Sequence, residues 1–150
     1  MSSIILFACV SSRKVTELEI TNVWARPTPK ESSMAAVYMR VTSPVADELL
    51  AISTPLARSA SLHVAGESDS DGGEGHDNHG GADSEMTMSD AEMVLGPNST
   101  VELGPGGLQV MLEGLERPLV EGESFELVLT FREAGDREVN VFVSTNEPID

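Results

Sequence analysis

Apolar and polar residues alternate with a period of two through most of this sequence, and that alternation constrains the fold more than any other feature. The clearest run has Phe125, Leu127, Leu129 and Phe131 on one side and more polar residues between them. Such a run predicts a strand with one buried face. After a turn at 133–136, Val139, Val141 and Val143 alternate again, so the two runs predict a hairpin.

Further strands are predicted upstream by the same alternation. Leu18, Ile20 and Trp24 form one set, and Ala35, Val37, Met39 and Val41 form another. Shorter strands are predicted at 49–53, 59–63, 86–88, 99–103 and 108–112, with turns at prolines and glycines such as Gly104 to Gly107. No helical stripe of useful length occurs. The pattern predicts an all-β fold, an antiparallel β-sandwich or Greek-key barrel.

Residues 66–85 break this pattern. They are rich in Gly, Ser, Asp and Glu, and contain no Lys, Arg or aromatic residue. Because such a segment buries little apolar surface, it is predicted to be a long disordered acidic loop inserted between two strands. The length of 150 residues then suits one domain, predicted at 15–146.

The charge balance restricts the partners. The formal net charge is −16, from 25 acidic and 9 basic residues. Since phosphate binding needs a basic surface, nucleic acids and anionic membrane surfaces are disfavoured as partners, and a cation or a basic protein surface is favoured. An acidic surface also has a simpler explanation, because net charge by itself keeps a protein soluble.

The N-terminal segment 1–14 resembles the end of a secretory signal. An apolar run over 4–10 precedes polar residues, and Leu6 to Cys9 resembles a lipoprotein cleavage box. The segment therefore predicts an extracytoplasmic protein, in the periplasm or at the cell surface. A lipid on Cys9 is one way in which the protein would be attached there. No segment reaches the roughly 20 apolar residues of a membrane span.

Nucleophilic catalysis finds little support. The single Cys is N-terminal, no Gly-x-Ser-x-Gly motif occurs, and the glycine-rich stretch from Gly104 to Gly107 lacks the lysine of a phosphate loop. The many acidic residues show no spacing that favours one catalytic pair. The chain is therefore predicted not to be an enzyme.

Histidine and methionine residues point instead to a soft metal ion. His63 ends one predicted strand, Met86 and Met88 lie on the next, and Met111 lies on a third. Imidazole and thioether groups suit Cu(I), whereas Ca²⁺ and Mg²⁺ need clustered oxygens. Each residue also has a structural explanation, because strand methionines commonly fill cores and a histidine at a strand end commonly lies on the surface.

Several motifs resemble the periplasmic copper chaperone family called PCuAC. They are Trp24 to Pro27, Ala35 to Tyr38, Ser61 to His63, Met86 to Met88, and above all the stretch from Thr100 to Leu119. The resemblance implies a cupredoxin-like β-sandwich that carries Cu(I) toward cytochrome c oxidase, with an oxidase subunit or another copper-assembly protein as partner. It also implies His63, Met88 and Met111 as ligands. Met86 precedes Met88 by two residues, so in a strand the two share a face.

One position departs from the family pattern. The family has His-x-Met where this chain has Gln109, Val110 and Met111, and an amide replaces imidazole poorly on Cu(I). One hypothesis is that His76 or His79, tethered in the acidic loop, supplies the missing imidazole. Another is that these two residues recruit Cu(II) separately.

Two alternatives to a chaperone remain. A blue-copper electron carrier needs a Cys thiolate beside two His, and Cys9 lies outside the domain pattern. A β-sandwich interaction or structural module that has lost its metal is the other alternative, and Gln109 would then mark the loss.

Overall fold

Ten β-strands form the fold in the computed structural model, which describes residues 16–65, 89–90 and 92–149. The strands are β1 (Glu19–Ala25), β2 (Met34–Ser43), β3 (Asp47–Ser53), β4 (Ala57–Val64), β5 (Ser89–Asp90), β6 (Val94–Leu95), β7 (Ser99–Leu103), β8 (Leu108–Leu115), β9 (Ser124–Phe131) and β10 (Gly135–Val143). The prediction of an all-β fold is confirmed. The described residues include no helix long and apolar enough to cross a membrane.

The strands form one curled sheet in the order β5-β4-β8-β2-β1-β10-β9-β3-β6, with β7 also paired to β2. Along β2, the first half pairs with β8 and the second half with β7. The predicted turn at Gly104 to Gly107 separates these two strands, and Gly106 adopts a φ of 81° there. The structure therefore confirms the turn.

The sheet is mixed, because β1 and β10 pair in parallel, whereas all other pairs among the described strands are antiparallel. The expectation of a wholly antiparallel sandwich is wrong at this pair. Alternation with a period of two identifies the buried face of each strand but carries no information on the direction of its neighbour.

Alternation does place the core correctly. Val37 and Val41 on β2, and Leu127 and Leu129 on β9, are fully buried. The predicted hairpin is β9–β10, in which Val139 lies opposite Leu127. Burying an aliphatic side chain of this size contributes roughly 1.5–3 kcal/mol, so these inward faces hold the curled sheet closed.

Trp24 is the exception to the predicted alternation. A bulge shifts the register of β1 between Thr21 and Trp24, and Asn22 within it adopts a φ of 51°. Because a bulge adds one residue to one strand, the side chains beyond it change faces. Leu18 and Ile20 pack against the core, whereas Trp24 lies opposite Tyr38 on the other face of the sheet.

Three predicted segments lie outside the described residues: the N-terminal segment 1–14, the loop 66–85 and the strand 86–88.

Candidate metal centre

His63 lies near the end of β4, on the side of the strand that faces away from the core. Ala60 and Leu62 on the same strand pack into the core, so Ser61 and His63 point to the opposite face. We call this opposite face of the sheet the outer face. The alternation of β4 therefore separates its apolar core contacts from its polar residues.

The pairing of β4 with β8 brings two further side chains beside His63. Gln109 lies directly opposite His63, and Met111 lies directly opposite Ser61. Residues directly opposite each other in an antiparallel pair project to the same face. Ser61, His63, Gln109 and Met111 therefore form a group of four on the outer face, which we call the outer-face square.

Three of the four side chains of the square are buried although the square faces away from the core, and Ser61 is half-buried. The exposed fraction is 7% for His63, 7% for Gln109 and 5% for Met111. Buried polar atoms need hydrogen-bond partners, and the square supplies two such contacts internally. The Ser61 hydroxyl lies 2.6 Å from Nε2 of His63, and Nε2 of Gln109 donates to the sulfur of Met111 at 3.2 Å.

Two aromatic residues continue the buried outer face beyond the square. Met111 lies opposite Ala36 on β2, and Tyr38 follows Ala36 on the same side of that strand. The rings of Tyr38 and Trp24 have centroids 4.8 Å apart at a tilt of 48°, and the Arg26 guanidinium lies 5.9 Å from the Trp24 ring centroid. The square thus adjoins a rigid aromatic pair.

The predicted ligands divide into two groups. His63 and Met111 lie on one face of adjacent strands, as predicted. Met86, Met88, His76 and His79 lie outside the described residues, as does Cys9. In the part of the chain that the structure describes, no three His, Cys, Asp or Glu side chains form a group that could hold a metal ion.

Two residues of the square were not among the predicted ligands. Ser61 precedes His63 by two residues, and Gln109 precedes Met111 by two. This spacing places each polar residue on the face of its potential ligand, which is a signal present in the sequence. The cross-strand register, which sets Gln109 opposite His63, has no such signal.

A buried carboxylate lies elsewhere, at the start of β3. Asp47 is 5% exposed and accepts hydrogen bonds from the backbone amides of Glu48 and Glu133 at 2.8 Å each and of Ala134 at 3.0 Å. Burial acts to raise the pKa of Asp47, but these three amides and the positive charge of Arg132 outweigh it, so the pKa lies below its ordinary value. This carboxylate ties β3 to the β9–β10 hairpin.

Comparison with known proteins gives one family and one fold. The LpqE-like family model, described as "Putative lipoprotein LpqE-like", matches residues 18–143. No curated protein matches the sequence significantly.

Solved structures with the same fold include two PCuAC domains and one further protein. A copper-bound PCuAC domain from PmoF2 is 23% identical with a TM-score of 0.66, covering 87% of this chain and 94% of that one. An apo PCuAC domain from PmoF1 is 20% identical with a TM-score of 0.67, covering 87% and 95%. The solution structure of CuI-DR1885 from Deinococcus radiodurans is 24% identical with a TM-score of 0.62, covering 91% and 84%. The predicted cupredoxin-like fold of PCuAC domains is confirmed.

Proposed function

The chain belongs to the LpqE-like family, and on that premise we propose that it is an extracytoplasmic metallochaperone for copper. The observation that carries the proposal is that His63 and Met111 share a buried outer face on adjacent strands. The same fold occurs in a copper-bound PCuAC domain. An imidazole nitrogen and a thioether sulfur form a donor pair that suits Cu(I).

The positions of these two donors fit a shared ion. His63 and Met111 are diagonal neighbours across β4 and β8. Diagonal neighbours in an antiparallel pair lie about 7–8 Å apart, which long side chains can bridge. A soft ion held between them would take His63 through a ring nitrogen and Met111 through sulfur.

Further donors complete the proposal. We propose Met88 as the third ligand, with Met86 two residues before it in the predicted strand 86–88. His76 or His79 supplies a second imidazole in place of the one that Gln109 does not provide, or the two bind Cu(II) separately. The family resemblance supports Met86 and Met88, and the donor chemistry of imidazole supports His76 and His79.

Delivery follows from the same donor set. Neutral donors hold Cu(I) without a buried countercharge, so the ion can pass to an acceptor by ligand exchange, one donor leaving as another arrives. The net charge of −16 favours an acceptor with a basic surface. We propose a cytochrome c oxidase subunit or another copper-assembly protein as that acceptor, and the proposal assigns the chain no enzymatic step.

An extracytoplasmic location is supported by the description of the family as a lipoprotein family. The proposed anchor is a lipid on Cys9. In a bacterial host expressing the full chain, the parent should partition into the detergent phase and Cys9→Ser into the aqueous phase. Equal partition of the two would contradict lipid attachment at Cys9.

Anaerobic titration with Cu(I) against a chromophoric chelator tests the metal site. Met111→Leu should weaken Cu(I) binding at least tenfold, because it removes a sulfur donor and keeps the volume. Met93→Leu is the matched control, since Met93 is 2% exposed and packs in the core, and it should bind like the parent. His76→Ala/His79→Ala should lose affinity if either loop histidine is a ligand.

Native mass spectrometry of the copper-loaded protein separates this proposal from the alternative of a module without metal. The parent should retain copper at micromolar concentration. Failure of the parent to do so, together with equal behaviour of Met111→Leu and Met93→Leu, would favour an interaction or structural module.

A further inference from the structure

Each potential ligand of the outer-face square has a polar partner two residues earlier on its own strand. Ser61 contacts His63 at 2.6 Å, and Gln109 contacts Met111 at 3.2 Å. The two strands run antiparallel, so each polar partner also lies opposite the other ligand. Nε2 of His63 and the sulfur of Met111 are therefore already in contact with side chains of the square itself.

The contact at Met111 involves the atom that a soft metal would use. The Gln109 amide N–H donates to the thioether sulfur, and a thioether is a weak hydrogen-bond acceptor. Both the hydrogen bond and a metal bond draw on the lone pairs of that sulfur. At 7% exposure, the Gln109 amide has little access to water as a substitute partner. Copper and the amide therefore compete for Met111.

We propose that Gln109 sets the strength of copper binding by capping the sulfur of Met111 in the metal-free protein. Copper binding then requires the Gln109 side chain to turn away from Met111, and copper release allows it to return. The cap weakens binding and favours release, as suits a protein that passes its ion on. This inference rests on the proposed function, and it makes Gln109 a positioning residue that controls a ligand without being one.

The cap has a second consequence that needs no metal. Oxidation of methionine to sulfoxide also uses a sulfur lone pair. An N–H donor held on Met111 should slow this reaction in the apo protein. Two other methionines serve as internal references, because Met34 is 39% exposed and Met93 is 2% exposed within the core.

Gln109→Leu and Gln109→Asn test the cap. Leu keeps the approximate volume and removes the donor, whereas Asn keeps the amide and withdraws it by one methylene group. The matched control is Asn140→Leu, which removes an exposed amide from β10. Circular dichroism of each variant checks that the fold persists.

Both Gln109 variants should bind Cu(I) about three- to tenfold more tightly than the parent, the factor expected for one lost hydrogen bond. In the apo proteins, hydrogen peroxide should oxidise Met111 about threefold faster than in the parent, with Met34 and Met93 unchanged by peptide mass mapping. Asn140→Leu should match the parent in both assays.

Weaker Cu(I) binding in the two Gln109 variants would overturn the proposal, because Gln109 would then be a ligand through its amide oxygen. An unchanged rate of Met111 oxidation would overturn it too. If the parent binds no Cu(I), the proposed function fails, whereas the oxidation rates still decide whether the amide caps the sulfur.

Discussion

Two buried polar clusters lie in the described part of the molecule, and their hydrogen bonds come from different sources. Asp47 is held by backbone amides of Glu48, Glu133 and Ala134. In the outer-face square, His63 and Met111 are contacted by the side chains of Ser61 and Gln109. Both clusters are largely buried, but their hydrogen-bond partners differ in how freely they move.

This difference separates a structural polar group from a potential binding site. Backbone amides within strands and turns are fixed by the fold, so those of Glu133 and Ala134 stay on the Asp47 carboxylate while β3 is packed against the β9–β10 hairpin. Side chains can change rotamer while the strands stay paired. A ligand can therefore enter the square without unfolding the sheet, whereas the Asp47 cluster is closed to one.

Asp47→Ala should give the largest loss of stability. It leaves three backbone amides without their acceptor, and each buried unsatisfied group is costly. We expect the free energy of unfolding to fall by about 2–4 kcal/mol in urea denaturation. Cu(I) affinity should stay at the parental value, because the change lies on another strand from the square. A large loss of affinity in a folded Asp47→Ala protein would contradict the separation of the two clusters.

Acid should remove part of the same stabilisation. The pKa of Asp47 lies below its ordinary value of 3.8 in the folded protein. The carboxylate therefore contributes its full stability above the unfolded pKa and loses it as the pH falls through the folded pKa. Urea unfolding from pH 6 to pH 2 should show the parent approaching Asp47→Asn, because a protonated carboxyl resembles the amide. A constant difference between the two proteins over this range would refute the assignment.

The sequence predicted the core more fully than the site. Alternation identified the buried faces of β2, β9 and β10, because the period of two reports directly which side chains face inward. It failed at Trp24, where a bulge at Asn22 adds one residue to the strand. It also missed the parallel pairing of β1 with β10, which depends on strands more than a hundred residues apart in the chain.

The site depended on the same kind of long-range pairing. Ser61 and His63 are two residues apart, as are Gln109 and Met111, so the sequence alone predicts that each pair shares a face. The register that sets Gln109 opposite His63 joins strands that are separated in the chain by the whole predicted acidic segment, so no short turn specifies it. The sequence carried no sign that Gln109 donates a hydrogen bond to sulfur; it predicted only a departure from the PCuAC motif at this position.

The aromatic pair beside the square, Trp24 and Tyr38, should contribute less to stability than Asp47 does. Tyr38→Leu removes the ring that contacts Trp24 and should lower the free energy of unfolding by about 1–2 kcal/mol. Tyr38→Phe keeps the ring and should stay close to the parent. Fluorescence of Trp24, the one tryptophan in the chain, reports the change directly. Equal stability of Tyr38→Leu and Tyr38→Phe would show that the outer face tolerates repacking beyond the square.

Met111→Leu should lower the stability less than Asp47→Ala does and should give the clearest contrast with it in copper binding. The swap conserves volume and removes a weak hydrogen bond, so unfolding should become easier by about 1 kcal/mol. Because a ligand that binds the folded state stabilises it, Cu(I) should raise the melting temperature of the parent and of Asp47→Ala more than that of Met111→Leu at the same copper concentration. Copper stabilisation of equal size in Met111→Leu and the parent would remove Met111 from the site. Loss of it in Asp47→Ala would show that the two clusters are coupled through the sheet.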